Sequence, residues 1–119
     1  MNINFGNWNA VAPAFYTGGS LYTGPTNPYF TNTTWTNYQT TWDGTTMISY
    51  VNGVFYGSNA PGGTSSDGGN VYRIGRRWDS ADYVNGVIGE LRIYNVVLTA
   101  AQVLQDYTNT LPLYPVGTT

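Results

Sequence analysis

The segment from residue 71 to residue 107 places the tightest constraints on how this chain can fold. Its pattern predicts a strand over 71–74, a strand region over 83–97 and a helix over 98–107. The strand region is entered through Asn85-Gly86, a dipeptide that favours turns because glycine tolerates a positive φ. Strands followed by one short helix indicate a chain that is mainly β.

The start of the helix is marked residue by residue. Thr99 is placed to cap the helix, and Gln102, three residues later, completes a capping box. Leu98 and Val103 flank this cap at the spacing of a hydrophobic staple. A helix this short is not stable alone in water, so it must dock on an apolar surface. The strand before it offers such a surface. Alternation places Gly89, Leu91 and Ile93 on one side of that strand and Ile88, Glu90, Arg92 and Tyr94 on the other.

A second local signal is Asn52-Gly53, which predicts a hairpin between strands at 46–51 and 54–56. The frequent Thr, Asn and Tyr residues suit strands and turns. The other predicted elements are a short strand over 2–9, a hairpin joining 15–16 to 21–22, a strand over 34–42 with a turn at Asp43-Gly44, and a flexible loop over 59–70.

Two groups of residues resemble laminin G-like jelly-roll domains of the concanavalin A-like lectin/glucanase superfamily. They are Trp35 to Gly53, and the series Ile74-Gly75, Tyr83-Val84-Asn85-Gly86, Ile88-Gly89-Glu90-Leu91-Arg92-Ile93-Tyr94 and Leu98-Thr99. The resemblance implies an all-β fold, an antiparallel β-sandwich of jelly-roll type with one short C-terminal helix. It also implies a single domain over 1–119, with divergent N-terminal strands in 1–33, a family-like core in 34–107 and an extended tail in 108–119.

Catalysis is not expected from these residues. The chain has no His and no Cys, which excludes the common nucleophile and base pairs and also disulfides. Retaining glycoside hydrolysis needs two carboxyl groups about 5–5.5 Å apart. The chain has one glutamate, Glu90, which we expect to pair with Arg92 or another arginine. No catalytic residue is predicted.

The resemblance also implies a calcium site at the rim of the sandwich, partly through an Asp at the position of Gly89. Glycine removes the carboxylate that a hard cation needs. Asp79 and Asp82 are weak calcium candidates, with capping of their own loop as the alternative, and no cofactor is predicted. Trp78 and Tyr83 flank the same loop, so Trp78, Asp79, Asp82 and Tyr83 are the predicted ligand-binding residues, with glycans as the ligand class. The alternative for Trp78 is packing or a protein interface.

Charge and hydropathy exclude several partners. A net charge of −2 gives no electrostatic footprint for nucleic acid, and no apolar run is long enough for membrane insertion. Residues 1–4 show neither the basic nor the apolar region of a secretory signal peptide. The 34 residues before Trp35 are fewer than the opening strands of such a sandwich usually take. Either these strands are trimmed to two or three, or a partner supplies the missing ones. A trimmed sandwich has open edges that invite strand addition.

These features predict a non-catalytic structural or binding module that acts through other protein subunits. We expect a homo-oligomer or a larger assembly, placed on a virion surface as a decoration protein or outside a cell. The alternative is a carbohydrate-binding adhesion module that recognises surface glycans.

Overall fold

The computed structural model describes residues 2–4, 12–17, 20–23, 34–60 and 87–114, and describes side chains within the last two ranges. Within these residues, two three-stranded antiparallel sheets are followed by one short helix. The first sheet has the order β1-β2-β3 and the second β4-β5-β6. The elements are β1 Asn2–Asn4, β2 Ala12–Thr17, β3 Ser20–Thr23, β4 Tyr38–Trp42, β5 Met47–Val51, β6 Val54–Asn59 and α1 Ala100–Thr110.

The two predicted hairpins are confirmed. In the first sheet, β2 pairs with β3 and places Thr17 opposite Ser20. In the second, β5 and β6 are joined by Asn52 and Gly53, with φ values of 50° and 76°. Positive φ at both central residues is the signature of the type I′ turn, whose twist matches that of the strands it joins.

Asn52 also sets where β4 begins. Its Oδ1 accepts a hydrogen bond from the Asn37 N–H at 2.9 Å, and its own N–H donates to the Asn37 carbonyl at 2.9 Å. The strand predicted over 34–42 therefore starts only at Tyr38, because a turn side chain takes the Asn37 N–H. At the far end β6 reaches Asn59, beyond the predicted limit at residue 56.

The turn between β4 and β5 forms at Asp43-Gly44, as predicted. Asp43 Oδ1 accepts hydrogen bonds from the N–H groups of Thr46 at 2.7 Å and Thr45 at 2.8 Å, while Gly44 takes a φ of 99°. These donors stabilise the carboxylate and hold the pKa of Asp43 below its ordinary value.

The capping box of α1 is confirmed. Thr99 Oγ1 accepts from the Gln102 N–H at 3.2 Å, and Gln102 Oε1 accepts from the Thr99 N–H at 2.9 Å. Val103, one residue later, is completely buried. Local sequence alone therefore located the start of the helix.

The end of α1 differs from the prediction, which placed it at residue 107 and expected an extended tail from 108. The helix continues to Thr110 and a turn covers 111–113. Hydroxyl groups of the last turn donate back to the helix, Thr108 to the Leu104 carbonyl at 2.8 Å and Thr110 to the Tyr107 carbonyl at 2.7 Å. The second bond satisfies the Tyr107 carbonyl, one of the last four of the helix, which lack a helical N–H partner. Residues 115–119 lie outside the described part.

The prediction of a strand over 83–97 is wrong for residues 87–97. Residues 83–86, like the strand predicted at 71–74, lie outside the described residues, but 87–97 form no strand. We call residues 87–97 the motif segment. Ile93 is 75% exposed and Leu91 is exposed beside it, so this face is not the docking surface of the helix. A strand exists only where a ladder partner is present, and no described strand pairs with this segment.

Helix α1 docks instead on the β5–β6 turn. A Cβ built on Gly53 would lie 2.8 Å from Tyr107 Cδ1 and 3.0 Å from Leu104 Cδ1, so the bare glycine backbone lets the helix approach. Gln39 on β4 donates from Nε2 to the Val103 carbonyl at 3.4 Å. Among the described side chains, the buried apolar residues are Met47, Tyr50 and Val103.

Candidate functional site

The predicted ligand-binding residues are outside the part of the chain that the structure describes. Trp78, Asp79, Asp82 and Tyr83 all lie outside the described residues, so their role in binding glycans or calcium stays a prediction. The described functional candidates lie on the motif segment and on the sheet edge formed by β6.

Polar side chains of the motif segment converge on α1. Arg92 Nε lies 2.6 Å from Glu90 Oε1, which confirms the predicted pair, and the Arg92 guanidinium also forms a close ion pair with Asp106. The Tyr94 hydroxyl donates to Asp106 Oδ1 at 3.0 Å. Interactions of Arg92 with Glu90 first, and then with Tyr94 and Asp106, raise the pKa of its guanidinium. The cluster fastens the segment to the helix and engages the single glutamate in an ion pair.

Sequence reasoning missed Asp106 and Tyr94 as members of this cluster. The available signal was modest: Asp106 is the one acidic residue of α1, and Arg92 and Tyr94 share a face by strand alternation. Contacts between a helix and a segment 12 or 14 residues earlier depend on tertiary placement, which alternation does not give.

The geometry at Gly89 does not fit a calcium ion. A Cβ built there would overlap Tyr114 Cε1 and lie 2.8 Å from Tyr114 Cζ and 3.1 Å from Trp35 Cζ3, so the space of the missing carboxylate is filled by rings. The Tyr114 hydroxyl donates to the Gly89 carbonyl at 2.8 Å. Calcium needs several oxygen ligands, and here a side chain is absent and a backbone oxygen already has a donor. Within the described ranges, no His, Cys, Asp or Glu side chains cluster in threes or more as a metal would require.

Exposed apolar side chains form the most unusual feature of the described surface. Val54, Phe55 and Tyr56 are exposed on β6, an edge strand of its sheet among the described elements. A register shift opposite Ser49 and Tyr50 leaves one extra residue on β6, and such bulges interrupt edge pairing. On the motif segment the exposed large apolar residues are Val87, Ile88, Leu91, Ile93, Tyr94, Val96 and Val97.

The two exposed regions both adjoin α1. Leu104, itself exposed, touches the position of a Cβ on Gly53, next to Val54, while Asp106 holds Arg92 of the motif segment. Monomeric proteins rarely expose large contiguous apolar patches unless these bind something. In the part of the chain that the structure describes, no helix has the length and apolar character needed to cross a membrane.

Comparison with known proteins gives a family and a fold. The model of laminin G-type domains of the concanavalin A-like lectin/glucanases superfamily matches residues 2–104, most of the chain. A crystal structure of an S-layer domain-containing protein from Clostridium thermocellum is similar over 82% of this chain, with a TM-score of 0.54 and 22% identity. The match covers 51% of that protein's chain, so this chain spans about half its length. No curated protein sequence matches the chain.

Proposed function

This chain belongs to the concanavalin A-like lectin/glucanases superfamily, and we propose that it is a non-catalytic surface module that assembles through contacts between copies of itself. The observation that supports this most is the exposure of the motif segment. Its residues have the alternation of a strand, yet its large apolar side chains face water. Burial of such side chains against a partner is favourable by roughly 25 cal/mol for each Å² removed from water.

The partner we propose is a second copy whose motif segment pairs antiparallel with the first. A twofold axis at Leu91 would place Leu91 opposite its own counterpart and Glu90 opposite Arg92 of the other copy. Opposite charges directly across an antiparallel pair are favourable, and a twofold contact uses the same surface on both chains. Val87 and Ile93 would add apolar contacts at the flanks.

Two findings favour the motif segment over the β6 edge as the pairing element. The bulge interrupts the ladder on β6, whereas the motif segment has a continuous run of strand-like alternation over 88–94. The described strands also leave the segment unpaired. The exposed side chains of β6 and Leu104 then serve as secondary contacts beside the central pair.

The test is the mass of the protein in solution by light scattering. At micromolar concentration the wild-type chain is expected to be at least a dimer, and a stable monomer would contradict the proposal. Leu91→Asp places two like charges across the axis and should shift the protein to monomer while circular dichroism shows it folded. Asn109→Asp adds the same charge on an exposed part of α1 and should leave the dimer intact. If both variants or neither dissociate, the pairing is not at Leu91.

We propose that the module acts at a cell surface or outside the cell. Support comes from the S-layer domain-containing protein whose fold is similar and from the polar surface chemistry, rich in Thr and Asn and free of Lys. A virion surface was the other expectation, and no comparison favours it. Labelling of intact cells of the source organism with a specific antibody is expected to stain their exterior; staining only after lysis would contradict this placement.

Carbohydrate binding is the second candidate function. Its support is the lectin content of the superfamily, together with Trp78 and Tyr83, whose rings are suited to stack on sugars, and Asp79 and Asp82 between them. A glycan array distinguishes the two functions. Specific signals that disappear in Trp78→Ala favour a lectin. No signal from a protein that is oligomeric in solution favours assembly.

A further inference from the structure

The rings over Gly89 do more than occupy the space of a missing carboxylate. The Trp35 and Tyr114 ring centroids lie 4.9 Å apart at 59°, a tilted packing of two aromatic side chains. Tyr114 is itself positioned by the turn after α1, where its N–H donates to the Thr110 carbonyl at 2.9 Å. The turn after α1, the motif segment and the residues before β4 therefore meet at one point.

We propose that Trp35, Gly89 and Tyr114 form an aromatic lock, which fastens the turn after α1 to the motif segment and fills the space that a metal-binding carboxylate at residue 89 would need. The lock has three contacts. The Tyr114 ring takes the volume next to the Gly89 Cα, its hydroxyl donates to the Gly89 carbonyl, and Trp35 closes the other side.

The lock, and not the backbone conformation, explains why residue 89 is glycine. Gly89 does not have a φ in the left-handed region, so another residue could adopt its backbone without strain. The three atoms nearest to a Cβ at residue 89 all belong to side chains, and the tip of a tyrosine could ordinarily swing away. Here the ring cannot move without losing both the hydrogen bond to the Gly89 carbonyl and the packing against Trp35.

The test is a double-mutant cycle on the midpoint temperature of unfolding. Gly89→Ala in the wild-type chain is expected to lower Tm by about 5 °C, because the methyl group displaces the Tyr114 ring. Tyr114→Ala should lower Tm by a similar amount. In the Tyr114→Ala background, Gly89→Ala should lower Tm by about 1 °C or less, because of the two rings only Trp35 then lies near the added methyl group. Equal losses from Gly89→Ala in both backgrounds would overturn the lock.

Three further measurements keep the result interpretable. Leu113→Ala removes an exposed neighbour of Tyr114 and should leave Tm unchanged; a loss as large as that of Tyr114→Ala would mean that the turn as a whole, not the lock, is responsible. Tyr114→Phe keeps the ring and removes the hydroxyl, so Gly89→Ala should still be harmful in that background. Calcium added to metal-stripped wild-type protein should leave the amide resonances of Gly89 and Tyr114 unmoved, and movement of both would show an ion binding in the space that the lock is proposed to fill.

Discussion

The hairpin region over 38–59 and the motif segment over 87–97 both carry strand-like sequence, yet only the first forms strands. In the hairpin region each strand is joined to its neighbour by a short turn with its own chemistry, at Asp43-Gly44 and at Asn52-Gly53. The motif segment has no such turn to a described strand. It is held by side chains, through Arg92 to Asp106 and through Gly89 to Tyr114.

The difference shows what alternation alone can and cannot specify. A period of two determines which residues would share a face once a strand exists, but the ladder partner decides whether it exists. The hairpin region provides its partner within a few residues, whereas the motif segment depends on distant or separate chain. A segment of this kind is available to pair with another molecule.

Burial gives the largest expected contrast between the two regions. Met47 on β5 is completely buried, and Met47→Ala should reduce the free energy of unfolding by about 3 kcal/mol. Ile93→Ala removes a comparable side chain from the exposed motif segment and should change the free energy of unfolding of the monomer by less than about 0.5 kcal/mol. Denaturant unfolding of both variants, at a protein concentration low enough for the monomer, measures the two values.

Equal losses of unfolding free energy from Met47→Ala and Ile93→Ala would contradict this contrast between the two regions. They would mean that Ile93 is packed in the folded monomer, as strand alternation predicted, and that the motif segment belongs to the core.

Glycine substitution gives the next contrast, between two turns of the hairpin region. Gly53→Ala combines an unfavourable positive φ with a Cβ that lies 2.8 Å from Tyr107 Cδ1, and should cost about 2 kcal/mol of unfolding free energy. Gly44→Ala has a positive φ but nothing within 4 Å, and should cost about 1 kcal/mol. Thermal and denaturant unfolding compare them. A smaller loss at Gly53 than at Gly44 would contradict the docking of α1 on this turn.

The smallest effect is expected from pH and is confined to the turn at Asp43. Because hydrogen bonds from Thr46 and Thr45 lower the folded pKa of Asp43, its contribution to stability is present above the ordinary carboxyl pKa and is lost as the pH falls through the folded value. Unfolding free energies measured from about pH 5 to about pH 2 should therefore fall more steeply for wild type than for Asp43→Asn. Parallel dependences of unfolding free energy on pH in the two proteins would mean that the Asp43 carboxylate does not stabilise the turn.

Local chemistry accounts for the parts of the fold that the sequence predicted well. The Asn52-Gly53 turn and the Thr99–Gln102 capping box each depend on residues within one turn of the chain, and both are present. The family resemblance is likewise confirmed, because the family model matches residues 2–104. The helix extends past residue 107 to Thr110, where the Thr110 hydroxyl donates to the Tyr107 carbonyl and the Tyr114 N–H donates to the Thr110 carbonyl. An apolar pattern does not reveal contacts of this kind.

Long-range contacts account for what the sequence did not predict. The Glu90–Arg92 pair was within reach of sequence reasoning, since the residues share a strand face, but its extension to Asp106 was not. The absence of a carboxylate at Gly89 was clear from the sequence, whereas Tyr114 as the group that fills its place was not. The ligand residues predicted at 78–83 lie outside the described part and remain a prediction.

Amide hydrogen exchange tests most directly whether the motif segment is an unpaired strand awaiting a partner. At a concentration where the chain is monomeric, amides of β5 should be protected and those of 88–94 should exchange rapidly. Amides next to the Gly89–Tyr114 and Arg92–Asp106 contacts are the expected exceptions. At concentrations where the dimer forms, alternate amides of 88–94 should become protected. Ladder-like protection of 88–94 in the monomer, equal to that of β5, would contradict the account.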